Sequence, residues 1–394
     1  MFQWNAKTKN QTSEVVEQNS NSINVDQETT TSIPTTNKNI GKFGGGKDLN
    51  ASFEAAQGLI KAKRFDEAQQ VFETILKKNP DVAAAYVGLG NILAAKKQYD
   101  DALEHYSAAL HVKKNFVPAL IMSGNVYARQ NLNEKAIEKF KESININPAM
   151  VNASLGLSRV YAKTGRHEDA IDCLKKVLEQ NPQLEVARLM LARIYQRKGL
   201  HDVALQETTK ATTSNPDSWQ AFLSLAKLLV AQGNYKQAIT ACQSAIDLKS
   251  DNAQLHCIMG RSYAAMGEYD LALKAFKIAN EIAPRLLAAK LGIARMYLEQ
   301  NNLSEGKKIL VELSKGNRNL GEVHRLLAEI MMRQNLYADA IDEFKAAIFH
   351  GKDLEKKYPE LLSIPHRSGE EQQTAKAYKE IFDRIVTSSS IKQA

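Results

Sequence analysis

The spacing of the prolines constrains the fold of this chain more than any other feature of its sequence. Pro80, Pro148, Pro182, Pro216 and Pro284 differ by 68, 34, 34 and 68 residues, so they share one position of a 34-residue period. A chain of 394 residues would usually divide into several compact domains. A repeat array avoids that limit, because each unit buries its apolar face against its neighbours.

Small residues recur in the same frame when Leu49 is counted as position 1 of the first repeat. Position 20 holds alanine or glycine in every repeat: Ala68, Ala102, Ala136, Ala170, Ala204, Ala238, Ala272, Gly306 and Ala340. Position 8 is also small throughout, with Ala, Gly or Ser. Side chains of this size let two helix backbones approach closely, so position 20 predicts the crossing point of a helical hairpin.

Larger residues and glycines complete the pattern. Position 24 is often aromatic, as in Phe72, Tyr106, Phe140, Phe276 and Phe344. Glycines lie where the first helix of a hairpin should end: Gly165, Gly199, Gly233 and Gly267. A glycine at this place predicts a left-handed backbone conformation that stops the helix.

This order of small, aromatic and proline positions resembles the tetratricopeptide repeat (TPR) family, and the resemblance covers residues 49–354 as nine gapless repeats. It implies an all-α fold, a right-handed superhelical solenoid of nine helix–turn–helix repeats. Two repeats depart from the pattern. The fifth has Thr208 at the aromatic position, and the eighth has Gly306, Leu310 and Leu313. We expect soft points or bends there.

The segments outside the repeats differ in composition. Residues 1–48 are rich in Asn, Thr, Ser and Gln, which predicts a disordered polar tail. Residues 355–394 should form a linker and a C-terminal capping helix. Ser368 and Glu371 have the spacing of a capping box, and Ala377, Ile381 and Ile385 share one face of the helix that would follow. Such a helix would cover the apolar end of the array.

Charge and cysteine content bear on the compartment and the partner. The net charge of +8 permits an acidic partner without demanding nucleic acid. The three cysteines are an odd number, which favours a reducing compartment over a disulfide framework. The first residues lack the pattern of a secretory signal, and no run is apolar enough for a membrane helix. We therefore expect a cytoplasmic protein without membrane insertion.

Motifs for catalysis are missing from the sequence. It contains no glycine-rich phosphate loop, no His-Glu-x-x-His, no Cys-x-x-Cys and no nucleophile elbow. We accordingly predict no enzymatic activity, no catalytic residue, no metal ligand and no cofactor. Binding of a protein or peptide remains, and the prediction is a scaffold or adaptor for protein–protein interaction.

Cations recur on the first helix of the central repeats. Position 9 is polar or basic in seven successive repeats: Asn91, Asn125, Arg159, Arg193, Lys227, Arg261 and Arg295. Position 13 adds Arg129, Lys163 and Arg197. Residues four apart share one helix face, and the resemblance implies that the first helices line the concave face of the solenoid. The two positions together predict a basic stripe.

An apolar stripe is expected beside it, at position 5: Ile121, Leu155, Leu189 and Leu223. The two stripes predict a groove for an acidic or phosphorylated protein segment, since guanidinium groups pair well with carboxylates and phosphates. An alternative stays open. Position 5 could pack against the preceding repeat, and the cations could be solvated or paired with acids of adjacent helices.

Two further functions are weighed. The chain could be a regulatory subunit of an enzyme or of an assembly or secretion complex, which the sequence does not separate from an adaptor. It could also bind single-stranded nucleic acid, which needs aromatic side chains among the cations for base stacking. Positions 2, 5, 6 and 9 of repeats three to seven contain no aromatic residue, so nucleic acid is the less favoured partner.

The repeat frame is tested by enlarging position 20. Replacing Ala204 or Ala238 by Leu should overpack the helical hairpin and lower the free energy of unfolding by about 1–3 kcal/mol. Thermal melting of both variants measures this. Melting like that of the wild type in both would contradict the frame.

Overall fold

The computed structural model describes residues 46–316 and 321–349, together with residues 373, 374, 376, 377 and 380. Over these ranges the regular secondary structure is α-helical and contains no strand. The helices are α1 (Gly46–Lys61), α2 (Phe65–Lys78), α3 (Ala83–Ala95), α4 (Tyr99–Val112), α5 (Val117–Arg129), α6 (Asn133–Ile146), α7 (Val151–Lys163), α8 (His167–Gln180), α9 (Glu185–Arg197), α10 (His201–Ser214), α11 (Trp219–Ala231), α12 (Tyr235–Leu248), α13 (Ala253–Ala265), α14 (Tyr269–Ile282), α15 (Leu287–Glu299), α16 (Leu303–Gly316), α17 (Gly321–Arg333) and α18 (Tyr337–Phe349).

The helices follow the predicted 34-residue frame. Odd-numbered helices are the first, or A, helices of the repeats, and even-numbered helices are the second, or B, helices. From α3 onward each A helix begins at position 1 of its repeat, and every B helix begins at position 17. The first helix differs, because α1 already begins at Gly46, three residues before the predicted first repeat. The predicted all-α repeat fold is confirmed for these helices.

The chain divides into two compact units between Ser214 and Asn215. Over the described residues, the N-terminal unit runs from Gly46 to Ser214 and contains repeats 1–5, and the C-terminal unit begins at Asn215 and contains repeats 6–9. In each unit an A helix packs against its own B helix, the preceding B helix and the neighbouring A helices. The boundary follows the repeat that carries Thr208. The Thr208 side chain is fully buried, and its hydroxyl donates to the Ala204 carbonyl oxygen at 2.8 Å.

The hairpins cross at the small residues, as predicted. The alanines at position 20 are fully buried in every repeat that has one. In the second repeat, a Cβ placed on Gly90 would lie 3.0 Å from the carbonyl oxygen of Ala102 and 2.4 Å from the Tyr106 ring. The two backbones are therefore too close for a larger side chain at position 8.

The residue at position 24 joins each repeat to the next. The ring of Phe140 is buried between Gly124, in its own repeat, and Gly156, in the following one. A Cβ on Gly156 would approach the ring to 2.5 Å. Phe276 has the same relation to Gly260 and Gly292. Glycine at position 6 of the next repeat thus makes room for the phenyl ring.

In two joints where position 24 is leucine, position 6 of the next repeat is a large side chain instead of glycine. Leu174 is followed by Met190, and the two side chains belong to one core cluster. Leu310 is followed by Leu326 in another cluster, and Leu310 is fully buried. In both joints two aliphatic side chains take the place of a ring and a glycine. This explains how repeat 8 keeps a packed core without the aromatic residue.

The turns between the A and B helices use a left-handed residue, as predicted for the glycines. Gly165, Gly199, Gly233 and Gly267 have φ between 74° and 81°. The same place in other repeats is held by residues with side chains, at φ between 57° and 63°: Lys63, Lys97, Asn131, Asn301 and Asn335. Asparagine tolerates this conformation better than lysine does.

The predictions for the two ends are only partly covered. The tail predicted over residues 1–48 lies outside the described residues up to residue 45. In the segment predicted as a capping helix, the described residues from 373 to 380 are helical and Thr374 is buried. The rest of that prediction, including its apolar face at Ile381 and Ile385, lies outside the described residues. In the described part of the chain, no helix is long and apolar enough to cross a bilayer.

The joint at Phe140 gives a stability prediction. Gly156→Ala places a methyl group against the ring and should lower the free energy of unfolding by about 1–3 kcal/mol. In a chain that already carries Phe140→Leu, Gly156→Ala should cost much less, because leucine is smaller than the phenyl ring and leaves space for the added methyl group. Chemical denaturation of the single and double variants measures the coupling.

Gly58 provides the matched control. A Cβ on Gly58 would meet nothing within 4 Å, so Gly58→Ala in α1 should be neutral or should stabilise by about 0.5–1 kcal/mol. Equal losses at Gly58 and Gly156 would contradict the close packing of the phenyl ring.

Candidate functional site

The predicted basic stripe of the N-terminal unit lies on three successive A helices, α5, α7 and α9, which contact one another in order. We call this the basic surface. Its polar members come from positions 9 and 13: Asn125, Arg129, Arg159, Lys163, Arg193 and Arg197. Asn125 is half-buried, and the five cations are exposed. The repeat places them side by side because each A helix starts at the same frame position.

Asn91, one repeat earlier, has a structural partner. Its side-chain oxygen accepts a hydrogen bond from the Tyr106 hydroxyl at 2.8 Å. Tyr106 is buried, and burial raises the pKa of its hydroxyl while the charge of Arg129 opposes that rise. Asn91 therefore satisfies a buried tyrosine of its own repeat. A ligand would meet an amide whose oxygen already accepts this hydrogen bond.

Lys163 is engaged with the preceding repeat. Its ammonium group donates to the Ala128 carbonyl oxygen at 3.2 Å and to the Asn131 side-chain oxygen at 2.5 Å. These acceptors belong to the end of α5 and the left-handed turn after it. The contact links repeats 3 and 4, and among the described residues it leaves the positive charge without a carboxylate partner.

Arg193 and Arg197 differ from the other cations of their helix. Both are exposed, and among the described residues they make neither an ion pair nor a hydrogen bond. Arg188, on the same helix, binds Glu207 at 2.9 Å and the Pro182 carbonyl oxygen at 2.6 Å. Lys198, which follows the helix, binds Glu168. Arg188 and Lys198 thus have acidic partners in the fold, and Arg193 and Arg197 have none among the described residues.

The predicted apolar stripe is mostly core. Ile121 is 4% exposed, and Leu155 and Leu223 are each 9% exposed. Ile121 and Leu155 pack in one cluster with Phe140. Leu189 is half-buried. The alternative that position 5 packs against the preceding repeat therefore describes most of these residues, and Leu189 keeps surface that a ligand could touch.

In the C-terminal unit the predicted cations are less exposed. Lys227 and Arg261 are both half-buried. The charge of Arg261 acts on Cys242 and Cys257, two buried free thiols. Burial raises the pKa of each thiol to about 12, and Arg261 opposes that rise. Both cysteines are core residues, and their thiolates are suppressed at neutral pH.

Arg295, also predicted as a groove cation, is part of an ion network. It binds Glu322 in the next repeat, and Arg325 binds the same carboxylate at 2.7 Å. Arg325 also reaches Glu329 at 3.2 Å, and Glu329 binds Arg333 at 3.2 Å. The guanidinium of Arg295 is therefore neutralised within the unit.

The pKa values of two carboxyl groups at this network are shifted in opposite directions. Burial would raise the pKa of Glu322, but the charges of Arg325 and Arg295 and their hydrogen bonds hold it at about 2. Burial raises the pKa of Glu299, and the nearby Glu329 adds to the rise while Arg333 opposes it. Glu322 is thus the carboxylate that the arginines hold ionised.

Sequence reasoning missed Glu322 and Arg325. Arg325 occupies position 5, which is apolar in other repeats, and Glu322 occupies position 2. The periodicity of a single helix does not predict an ion pair between Arg295 at position 9 of one repeat and Glu322 at position 2 of the next. The break in the apolar pattern at Arg325 is the signal that could have indicated it.

The described residues offer no group of His, Cys, Asp and Glu side chains that could hold a metal ion. The basic surface of the N-terminal unit therefore consists of exposed cations with little exposed apolar surface beside them. Such a surface can attract and bind an anionic segment.

Two family models for the tetratricopeptide repeat match the sequence. One matches residues 53–116 and 189–253, and the other matches residues 127–194 and 263–330. Together the matches extend over more than half of the chain. A comparison with curated proteins gave no significant match.

Solved structures of repeat proteins are similar at low identity. A tetratricopeptide repeat protein from Parabacteroides merdae is 20% identical, over 64% of this chain and 99% of that chain, with a TM-score of 0.48. YrrB, a TPR protein with an unusual peptide-binding site, is 22% identical over 47% and 95%, with a TM-score of 0.36. Yeast Tom70 is 14% identical over 89% and 100%, with a TM-score of 0.41.

The ion network gives a pH prediction. The folded-state pKa of Glu322 is depressed, so its contribution to stability is present above the ordinary glutamate pKa of about 4.3 and is lost as the pH falls towards the folded-state value. Glu322→Gln should therefore destabilise the protein at neutral pH. The difference from the wild type should shrink as the pH falls from about 4.3 to about 2.

Chemical denaturation followed by circular dichroism across this range measures the effect. Glu305→Gln is the control, because Glu305 forms an exposed i,i+3 pair with Lys308 and such pairs contribute little. A Glu322→Gln penalty that stayed constant down to pH 2 would contradict the ionised network.

Proposed function

Because the chain belongs to the tetratricopeptide repeat family, we propose that its basic surface in repeats 3–5 holds an acidic segment of a protein partner. Tetratricopeptide repeats mediate protein–protein interaction, and the chain is accordingly a scaffold for protein or peptide partners. The fold is typically non-catalytic. The acidic character of the partner is the new part of the proposal.

The observation that carries the proposal is the exposure of Arg193 and Arg197 without a carboxylate partner among the described residues. Arginine side chains that the fold does not use for an internal ion pair can give planar, charge-assisted hydrogen bonds to an incoming carboxylate. Arg129, Arg159 and Lys163 add exposed positive charge on the same three helices. The positive electrostatic potential of this surface speeds the approach of an acidic partner.

The apolar contribution to binding is expected to be small. Ile121 and Leu155 are consumed by the core, so we assign apolar contact to Leu189 and to its exposed neighbour Val186. In the C-terminal unit, Lys227 and Arg261 occupy the matching positions and are proposed as the acidic-ligand surface of that unit, whereas Leu223 is core like Leu155. Arg295 is left out of this proposal, because Glu322 neutralises it.

A cytoplasmic location is also proposed. Cys173, Cys242 and Cys257 are free thiols, which suits a reducing compartment. The proposal of a regulatory subunit is the same scaffold with a catalytic partner, and identification of the captured protein separates the two.

Charge reversal on α9 tests the proposed surface. Arg193→Glu combined with Arg197→Glu should abolish capture of the partner from native extract, because two attractive charges become repulsive. The helix content measured by circular dichroism should stay at the wild-type level, since neither arginine holds another described residue. Mass spectrometry of the captured proteins shows whether the lost partner carries an acidic segment.

Lys175→Glu with Lys176→Glu is the matched control. It makes the same change of charge on two exposed residues of the B helix α8, away from the basic surface. The control should capture partners like the wild type. Capture unaffected by the change at Arg193 and Arg197, or lost equally in both double variants, would contradict the proposed site.

A further inference from the structure

The arginine pair on α9 is arranged for a doubly charged ligand group. Arg193 and Arg197 are one turn apart, so both lie on the same helix face. Like charges at this spacing repel and destabilise the helix that carries them. The surrounding structure does nothing to relieve that repulsion, because neither arginine has an acidic partner among the described residues.

In the C-terminal unit, arginines at the same repeat positions are paired with carboxylates of the fold. Arg295 and Arg333 occupy positions 9 and 13 of repeats 8 and 9, as Arg193 and Arg197 do in repeat 5. Arg295 is bound by Glu322, and Arg333 is bound by Glu329 and by the Leu298 carbonyl oxygen. The scaffold can therefore supply acids and carbonyl groups to these positions. In repeat 5 it leaves both guanidinium groups to the solvent.

A group that relieves the repulsion must bind both arginines at once. A carboxylate can bind two guanidinium groups, as Glu322 binds Arg295 and Arg325, but its single negative charge offsets only one of the two positive charges. A phosphate monoester carries about two negative charges at neutral pH and has three acceptor oxygens, enough to accept from two guanidinium groups. The exposed pair fits a phosphate better than one carboxylate.

An exposed apolar residue lies on the same face of α9. Val186 is 49% exposed, the largest exposure among the large hydrophobic residues of the described chain. It precedes Arg193 by two turns, a distance of ~10 Å along the helix axis at 1.5 Å per residue. A phosphate held between the two arginines would lie ~10–14 Å from it. An extended peptide spans that distance in about three or four residues at 3.3 Å each.

Resting on the function proposed above, we propose that the acidic segment is a phosphorylated one: a peptide whose phosphoserine or phosphothreonine is clamped by Arg193 and Arg197. An apolar side chain three or four residues from the phosphate contacts Val186. The clamp makes capture of the partner dependent on its phosphorylation, with the site on α9 of the N-terminal unit.

Fluorescence anisotropy with the full chain and short labelled peptides tests this. The peptides are Gly/Ser hosts with a central phosphoserine, glutamate or alanine. A single leucine is placed at successive distances on either side of the central residue. The phosphoserine peptide with leucine three or four residues away should bind about tenfold more tightly than its glutamate and alanine counterparts.

Two double variants locate the clamp. Arg193→Lys with Arg197→Lys keeps both charges but removes the planar paired donors, so it should weaken phosphopeptide binding while retaining general attraction to acidic peptides. Arg193→Glu with Arg197→Glu should remove binding. Lys175→Glu with Lys176→Glu should leave it unchanged.

The possible results separate the two proposals. Equal affinity for the phosphoserine and glutamate peptides, both lost on Arg193→Glu with Arg197→Glu, overturns the phosphate clamp and leaves the acidic-segment proposal standing. Phosphopeptide binding that survives Arg193→Glu with Arg197→Glu also overturns the clamp, as does absence of binding by every peptide. In that last case, the capture experiment still judges the acidic-segment proposal by itself.

Discussion

The contact between the side chain at position 24 and the residue at position 6 of the next A helix is the joint on which the stacking depends within each unit. Phe140 fills the space between Gly124 and Gly156, and a methyl group on Gly156 would overlap its ring. One buried ring therefore holds its own hairpin closed and docks the following hairpin. Where the ring is replaced by leucine, as at Leu174, the next repeat supplies Met190. At this joint the larger side chain of Met190 compensates for the missing ring, so the helices stay packed despite the change of residue type.

That packing decides which residues remain for binding. Position 5 faces the joint, and Ile121 and Leu155 are buried there. Positions 9 and 13 lie on the same helices where the packing leaves them open, and in repeats 3–5 they carry exposed cations. Binding at this surface would consequently rest on charge more than on apolar contact, and would weaken as salt screens the charges.

The two units use the same repeat positions for different chemistry. In the N-terminal unit, Arg193 and Arg197 have no acidic partner among the described residues. In the C-terminal unit, Arg295 shares Glu322 with Arg325, and the pKa of that carboxyl is held at about 2. A partly buried network of this kind is costly to break by removing one member, because the remaining charges lose their partners. An acidic ligand would have to displace Glu322 to reach Arg295.

The sequence by itself determined the repeat frame, since the period of small residues and prolines follows from how closely two helices can approach. It also determined the turns at Gly165 and Gly199, because their left-handed conformation is favoured by a residue without a side chain. Only the tertiary structure decided which cations are available for a ligand. Lys163 is bound to groups of the preceding repeat and Arg295 to a carboxylate of the following one. The periodicity of one helix does not specify such contacts, because they depend on how neighbouring repeats are placed in space.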